Sequence, residues 1–133
     1  MVLRSGSTAT AKVLVTKSEL ASSLFETTDL FPMVYATSRM IALMELAAAR
    51  VLRPFLDPDE LSVGVAVDVP HTAATPPGAI VTATARFMGR EGSLYKFEVW
   101  AEDDAGEIGR GTHKRAIVST SRLVEGAVRR RKK

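Results

Sequence analysis

Between Met40 and Ala49 the chain runs for ten residues with one polar side chain, Glu45, and around this run apolar residues recur at helical steps: Ile41, Met44, Ala48, Val51 and Leu52. Spacings of three and four residues mark an α-helix. An element apolar on nearly every side has to be wrapped by other structure, so this helix is expected at the centre of the fold. Thr37 or Ser38 is suited to be its N-cap. It should end near Leu56, because Asp57-Pro58 removes a backbone donor and disfavours helical geometry in the preceding residue. The run is too short to span a hydrocarbon layer of about 30 Å.

What surrounds the helix reads as strands. Ala11 to Thr16 forms a short one, and Lys17 to Pro32 a connection with helical turns around Ser18 to Phe25. Four β-segments follow the helix: Leu61 to Val69, Ala79 to Met88, Ser93 to Glu102 and Ile108 to Ser119. The first places Val63, Val65, Val67 and Val69 on one face by strict alternation, and that face is expected to be buried. The separators Gly89-Arg90-Glu91-Gly92 and Asp103-Asp104-Ala105-Gly106 suit antiparallel hairpins. One buried helix beside a run of antiparallel strands implies an α+β fold in which the sheet curls around the helix. An open sandwich would need a polar helix side, which Met40 to Ala49 hardly offers.

A chain of 133 residues with 46% apolar composition can bury a core as a single domain, residues 1–133, with residues 1–10 and 126–133 expected to be flexible termini. Cysteine is absent, which excludes disulfides, a thiolate nucleophile and cysteine-bound metal, and suits the cytoplasm. No apolar stretch near the start resembles an export signal. The net charge of +3 rests on Arg129-Arg130-Arg131-Lys132-Lys133, since five positive charges fewer leaves −2. Such a run is ordinarily a solvated tail, and without interleaved aromatics it gives no expectation of nucleic-acid binding.

Three polar residues could carry chemistry. A carboxylate among Met40, Ile41, Leu43, Met44, Leu46 and Ala47 costs several kcal/mol to bury unpaired, roughly, so Glu45 needs a partner or a purpose. His71 opens His71-Thr72-Ala73-Ala74-Thr75-Pro76-Pro77-Gly78, a stiff turn able to hold an imidazole; a lone histidine at a strand end is more often a packing residue. Thr37 lies eight residues before Glu45, about 12 Å along a helix, so the two could flank a substrate but not touch. As an N-cap its hydroxyl would simply satisfy a backbone N–H.

These residues also carry a resemblance. Ala36-Thr37 before Met40-Ile41-Ala42-Leu43-Met44-Glu45, the string His71 to Gly78, Glu107-Ile108-Gly109 and Gly111-Thr112-His113 together resemble the fluoroacetyl-CoA thioesterase group of the hotdog-fold superfamily, from roughly Phe31 to Val118. The resemblance implies a hotdog fold, hydrolysis of a small acyl-CoA, and an active site of Thr37, Glu45 and His71. It implies contact of the acyl carbonyl with backbone near Gly64 and an aromatic lid from Phe31 and Tyr35, with Thr28 standing where a further lid phenylalanine is expected. No cofactor is implied, since CoA is part of the substrate, and no metal: Asp68 and one histidine are too few ligands. His113, in the last strand, is expected to be structural. A homodimer with pockets at the subunit boundary is the implied assembly. Two other functions use similar groups: a non-catalytic acyl-CoA sensor, which would bind without releasing thiol, and an enoyl-CoA hydratase, which would consume enoyl absorbance.

Overall fold

The computed structural model describes residues 2–132; Met1 and Lys133, the ends of the expected domain and of the basic run, lie outside the described residues. Strand β1 (Thr8–Leu14) leads through three short 3-10 turns into helix α1 (Thr37–Leu52), which a further 3-10 turn extends to Phe55. Strands β2 (Glu60–Asp68), β3 (Ile80–Glu91), β4 (Leu94–Asp103) and β5 (Gly106–Ser119) follow, then helix α2 (Thr120–Arg131). Residues 8–10 thus lie in β1, and residues 126–131 in a helix for which the sequence reading had no element.

The five strands form one sheet in the order β1-β3-β4-β5-β2, every neighbouring pair antiparallel. α1 packs mainly on β1 and β3. Alternation along β3 and β4 turns Val81, Ala83, Ala85, Phe87, Phe97, Val99 and Ala101 toward the helix and Thr82, Thr84, Arg86, Glu98 and Trp100 away from it. Small residues on the concave face let the helix approach: a Cβ on Gly109 would come within 2.9 Å of Met40 Sδ. Bulges between Phe87 and Gly89 and between Ala101 and Glu102 add twist, and the sheet curls around α1 as the hotdog expectation required.

Two expectations need correction. The helix is not wrapped on every side: Met40, Leu43, Met44, Ala47, Ala48, Val51 and Leu52 are buried while Ala42 and Leu46 face out. Nor is the valine face of β2 buried: Val65 is 53% and Val67 42% exposed. β2 is an edge strand of the sheet, and it carries a bulge between Gly64 and Ala66, where Val65 is the extra residue. Before it, Ser62 and Gly64 share a face with their partners Ile117 and Arg115; beyond it, Val67 pairs with His113. The strict alternation assumed for four valines therefore breaks at the second of them.

Candidate active site

Thr37 is the first residue of α1, and the N-cap is Ala36, whose side chain makes no capping bond. The expected capping role for Thr37 is thus replaced by another. Its hydroxyl lies 2.8 Å from His71 Nδ1. His71 is set by a β-bridge to Gly109 and by the Thr72 N–H, which donates to the Ile108 carbonyl at 2.7 Å. Burial pushes its imidazole below the ordinary 6.5, against an opposing effect of the Ala73 backbone. The ring is therefore neutral near pH 7, and its other nitrogen, Nε2, is buried without a protein partner. A neutral ring taking the Thr37 proton at Nδ1 is the arrangement of a nucleophile and its base.

The pair opens on a cavity of about 650 Å³, with Phe25, Phe31, Pro32, Tyr35 and Ile41 among its walls. Phe31 stands half out in solvent, its ring centroid 4.2 Å from that of Phe25. The sequence pointed to Thr28 as the place of a further lid phenylalanine and did not reveal Phe25 on the cavity wall, since the 3-10 turns have no apolar periodicity. Tyr35 is fully buried, and desolvation, followed by the nearby Glu19 charge, pushes its phenol well above the ordinary 10.0. It stays neutral.

Glu45 stands in a different cluster. Arg115 Nη1 donates to Glu45 Oε2 at 3.2 Å, while Arg115 Nε and Nη2 donate to Ser62 Oγ at 2.9 Å and the Ser62 carbonyl at 2.8 Å. The Glu45 side chain is 40% exposed and that of Arg115 only 7%, so the carboxylate is neither wrapped nor unpaired. His113 completes the cluster. Its Nδ1 donates to the Ala66 carbonyl at 2.8 Å, which leaves Nε2 to accept from Arg115 Nη1 at 3.1 Å. Burial, more than the neighbouring Arg115 cation, lowers the His113 pKa. Gly64 meets this group directly: a Cβ there would collide with Glu45 Oε2 and lie 3.3 Å from His113 Cε1.

Of the six residues singled out in the sequence, Thr37, His71, Phe31 and Tyr35 meet around one cavity, whereas Glu45 and Gly64 meet each other beside Arg115. Arg115 drew no notice in the sequence because Ser62 and Glu45, which it holds, lie 53 and 70 residues away. Asp68 is exposed. Among the described residues no group of three or more His, Cys, Asp or Glu side chains could hold a metal ion, and no helix is long and apolar enough to cross a membrane.

Residues 15–121 match the model of a family described as fluoroacetyl-CoA-specific thioesterase. The chain belongs to this family. A fluoroacetyl-CoA thioesterase of Streptantibioticus cattleyicolor is 50% identical over 88 residues, 66% of this chain and 63% of the relative's own length. The solved structure of the fluoroacetyl-CoA thioesterase FlK superposes with a TM-score of 0.89 at 38% identity, covering 98% of both chains. A Thermus thermophilus hypothetical protein described as a thioesterase superfamily member gives 0.87 at 32% identity, covering 98% of this chain and 94% of that one. The family match includes every residue of both clusters and stops as α2 begins.

Proposed function

We propose that this protein is an acyl-CoA thioesterase that hydrolyses a small, fluoroacetyl-like acyl-CoA to the free acid and CoA, with Thr37, His71 and Glu45 as its catalytic residues. The carrying observation is the 2.8 Å contact between Thr37 Oγ1 and His71 Nδ1 at an apolar cavity. The Thr37 oxygen attacks the thioester carbonyl as its proton passes to Nδ1; collapse of the tetrahedral adduct expels the CoA sulfur, which takes that proton. Water, activated by the same ring, then releases the acid from the threonine. Phe25, Phe31 and Tyr35 keep other water away from the acyl group, and the Gly64 backbone is the donor to its carbonyl. CoA belongs to the substrate and no further cofactor takes part; a cytoplasmic setting fits the cysteine-free chain.

The separation of Glu45 from the Thr37–His71 pair supports a homodimer. Ala42 and Leu46 on α1 and Val65 and Val67 on the edge strand β2 expose apolar surface around Glu45. A second copy seated there completes each site, with the Thr37–His71 pair of one chain and the Glu45–Gly64 group of the other facing one substrate.

The test is thiol release from short acyl-CoAs by His71→Ala, Glu45→Ala and the mixed dimer of the two. Each variant alone should lose about 10² to 10⁴ of kcat, the usual contribution of a positioned acid or base. A mixed dimer retains one intact site, and so up to half the activity, only if each site draws on both chains. Full activity in both single variants removes the mechanism, as would binding without thiol release in the unaltered protein.

A further inference from the structure

The turn carrying His71 is fastened at both ends to the sheet: Thr72 N–H and hydroxyl donate to the Ile108 carbonyl at 2.7 and 3.2 Å, and the Gly78 N–H donates to the Val15 carbonyl at 2.8 Å. Between those ends Pro76 and Pro77 have no N–H to donate. Thr75 lies there, completely buried, with its hydroxyl donating to Asp103 Oδ2 at 2.7 Å. The other oxygen of Asp103 accepts the Ala105 N–H at 2.9 Å and so fixes the tip of the β4–β5 hairpin. The Thr75 carbonyl accepts the Tyr35 N–H at 2.9 Å, two residues before Thr37. One buried threonine therefore ties the histidine turn, the start of α1 and the hairpin tip together.

Valine has the shape of threonine and would fill the same space without a hydroxyl to desolvate. Packing alone therefore does not ask for the bond to Asp103; a directional bond fixes how the turn is rotated against the hairpin, which packing does not. We propose that Thr75 and Asp103 are positioning residues for the reaction, holding the His71 ring within hydrogen-bond reach of Thr37. This rests on the thioesterase reading of the Thr37–His71 pair. Neither residue lines the cavity, so both act through the backbone they fix.

The experiment uses the full chain with Thr75→Val, Thr75→Ser and Asp103→Ala, each checked for fold by circular dichroism. Thiol release from acetyl-CoA and fluoroacetyl-CoA gives kcat and KM, and long-range nitrogen–proton correlation spectra report the His71 ring. Only two histidines are present, so His71→Ala assigns the signals. Thr75→Val and Asp103→Ala should lower kcat about a hundredfold, the cost of roughly 1 Å of misplacement, with KM nearly unchanged. The His71 Nδ1 resonance should move with them, and Thr75→Ser should restore both. Folded variants with unaltered kcat and His71 resonances, or a serine variant as poor as the valine, would overturn the proposal. If Thr75→Val does not fold, Asp103→Ala, at a half-buried hairpin position, decides alone. An unaltered protein that releases no thiol would instead refute the thioesterase reading, and the ring resonances would still report whether the tether holds His71.

Discussion

His71 can accept a proton only while its ring is neutral, and burial favours that state by penalising the imidazolium. A folded-state pKa below the unfolded one has a defined sign. The stability this group contributes is present above the unfolded value and is lost as pH falls through the folded one. Activity follows the same direction: kcat/KM should be level through neutrality and fall on an acid limb whose midpoint lies below the ordinary 6.5 of histidine. A pH–rate profile checks this, and a midpoint at or above that value would contradict the lowered His71 pKa. His71→Ala should flatten what activity remains across that range. The pairing itself was not legible from spacing, because Thr37 and His71 are 34 residues apart and a helix pattern says only that a threonine near Ala36 could cap. The resemblance brought the two together; the residues alone left Thr37 as a cap and His71 as an ordinary strand-end histidine. Arg115, which answers the question of what partners Glu45, lay beyond either reading.

At the scale of elements, α1 and the four later strands were legible because their periods of 3.6 and 2 repeat over many residues. Three features with no sustained period were not: the β2 bulge, the Phe25–Phe31 stack and α2. Helix α2 has an N-cap serine, Ser119, whose hydroxyl accepts the Arg122 N–H, yet hardly any of its surface is buried. Twelve residues with so little packing form a marginal helix, so its start must be held. Asp59 holds it: the carboxylate accepts both the Ser119 and Ser121 hydroxyls at 2.8 Å, and its carbonyl accepts the Thr120 N–H at 2.7 Å. Those serine bonds hold the Asp59 carboxyl below its ordinary range. Asp59 also sits at a φ of 68°, in the left-handed region that aspartate tolerates and glycine favours. Asp59→Gly therefore keeps the backbone and removes only the carboxylate. Amide exchange at Ser121, Arg122 and Leu123 should become faster while β3 and β4 amides keep their protection. Equal exchange at the helix start would mean that Ser119 alone suffices.

For the whole molecule the decisive feature is the asymmetry of the sheet's two edges. β1 lies beside α1, but β2 presents one unpaired row of backbone groups together with Val65 and Val67, and on α1 Leu46 is also exposed, at 38%. Chains ordinarily guard such edges with charge, proline or cover, and the exposed β2 side chains from Val65 to Val67 are apolar. The proposed dimer supplies the cover, and in a two-fold interface any substitution enters twice. Val67→Lys places a charge at a position 42% exposed in the single chain, so the fold should tolerate it, while two desolvated lysines oppose pairing. Sedimentation at micromolar concentration should shift from dimer toward monomer, and thiol release should fall in proportion to the monomer fraction. That proportionality follows from the site's division. One chain holds Thr37 with His71 in one place and Glu45 with Gly64 and Arg115 in another, so on the proposed dimer dissociation takes away the half-site that the partner supplies while each chain stays folded. A monomeric Val67→Lys protein with undiminished turnover would show that the Thr37–His71 pair works without a second chain, and would leave Glu45 a structural partner of Arg115.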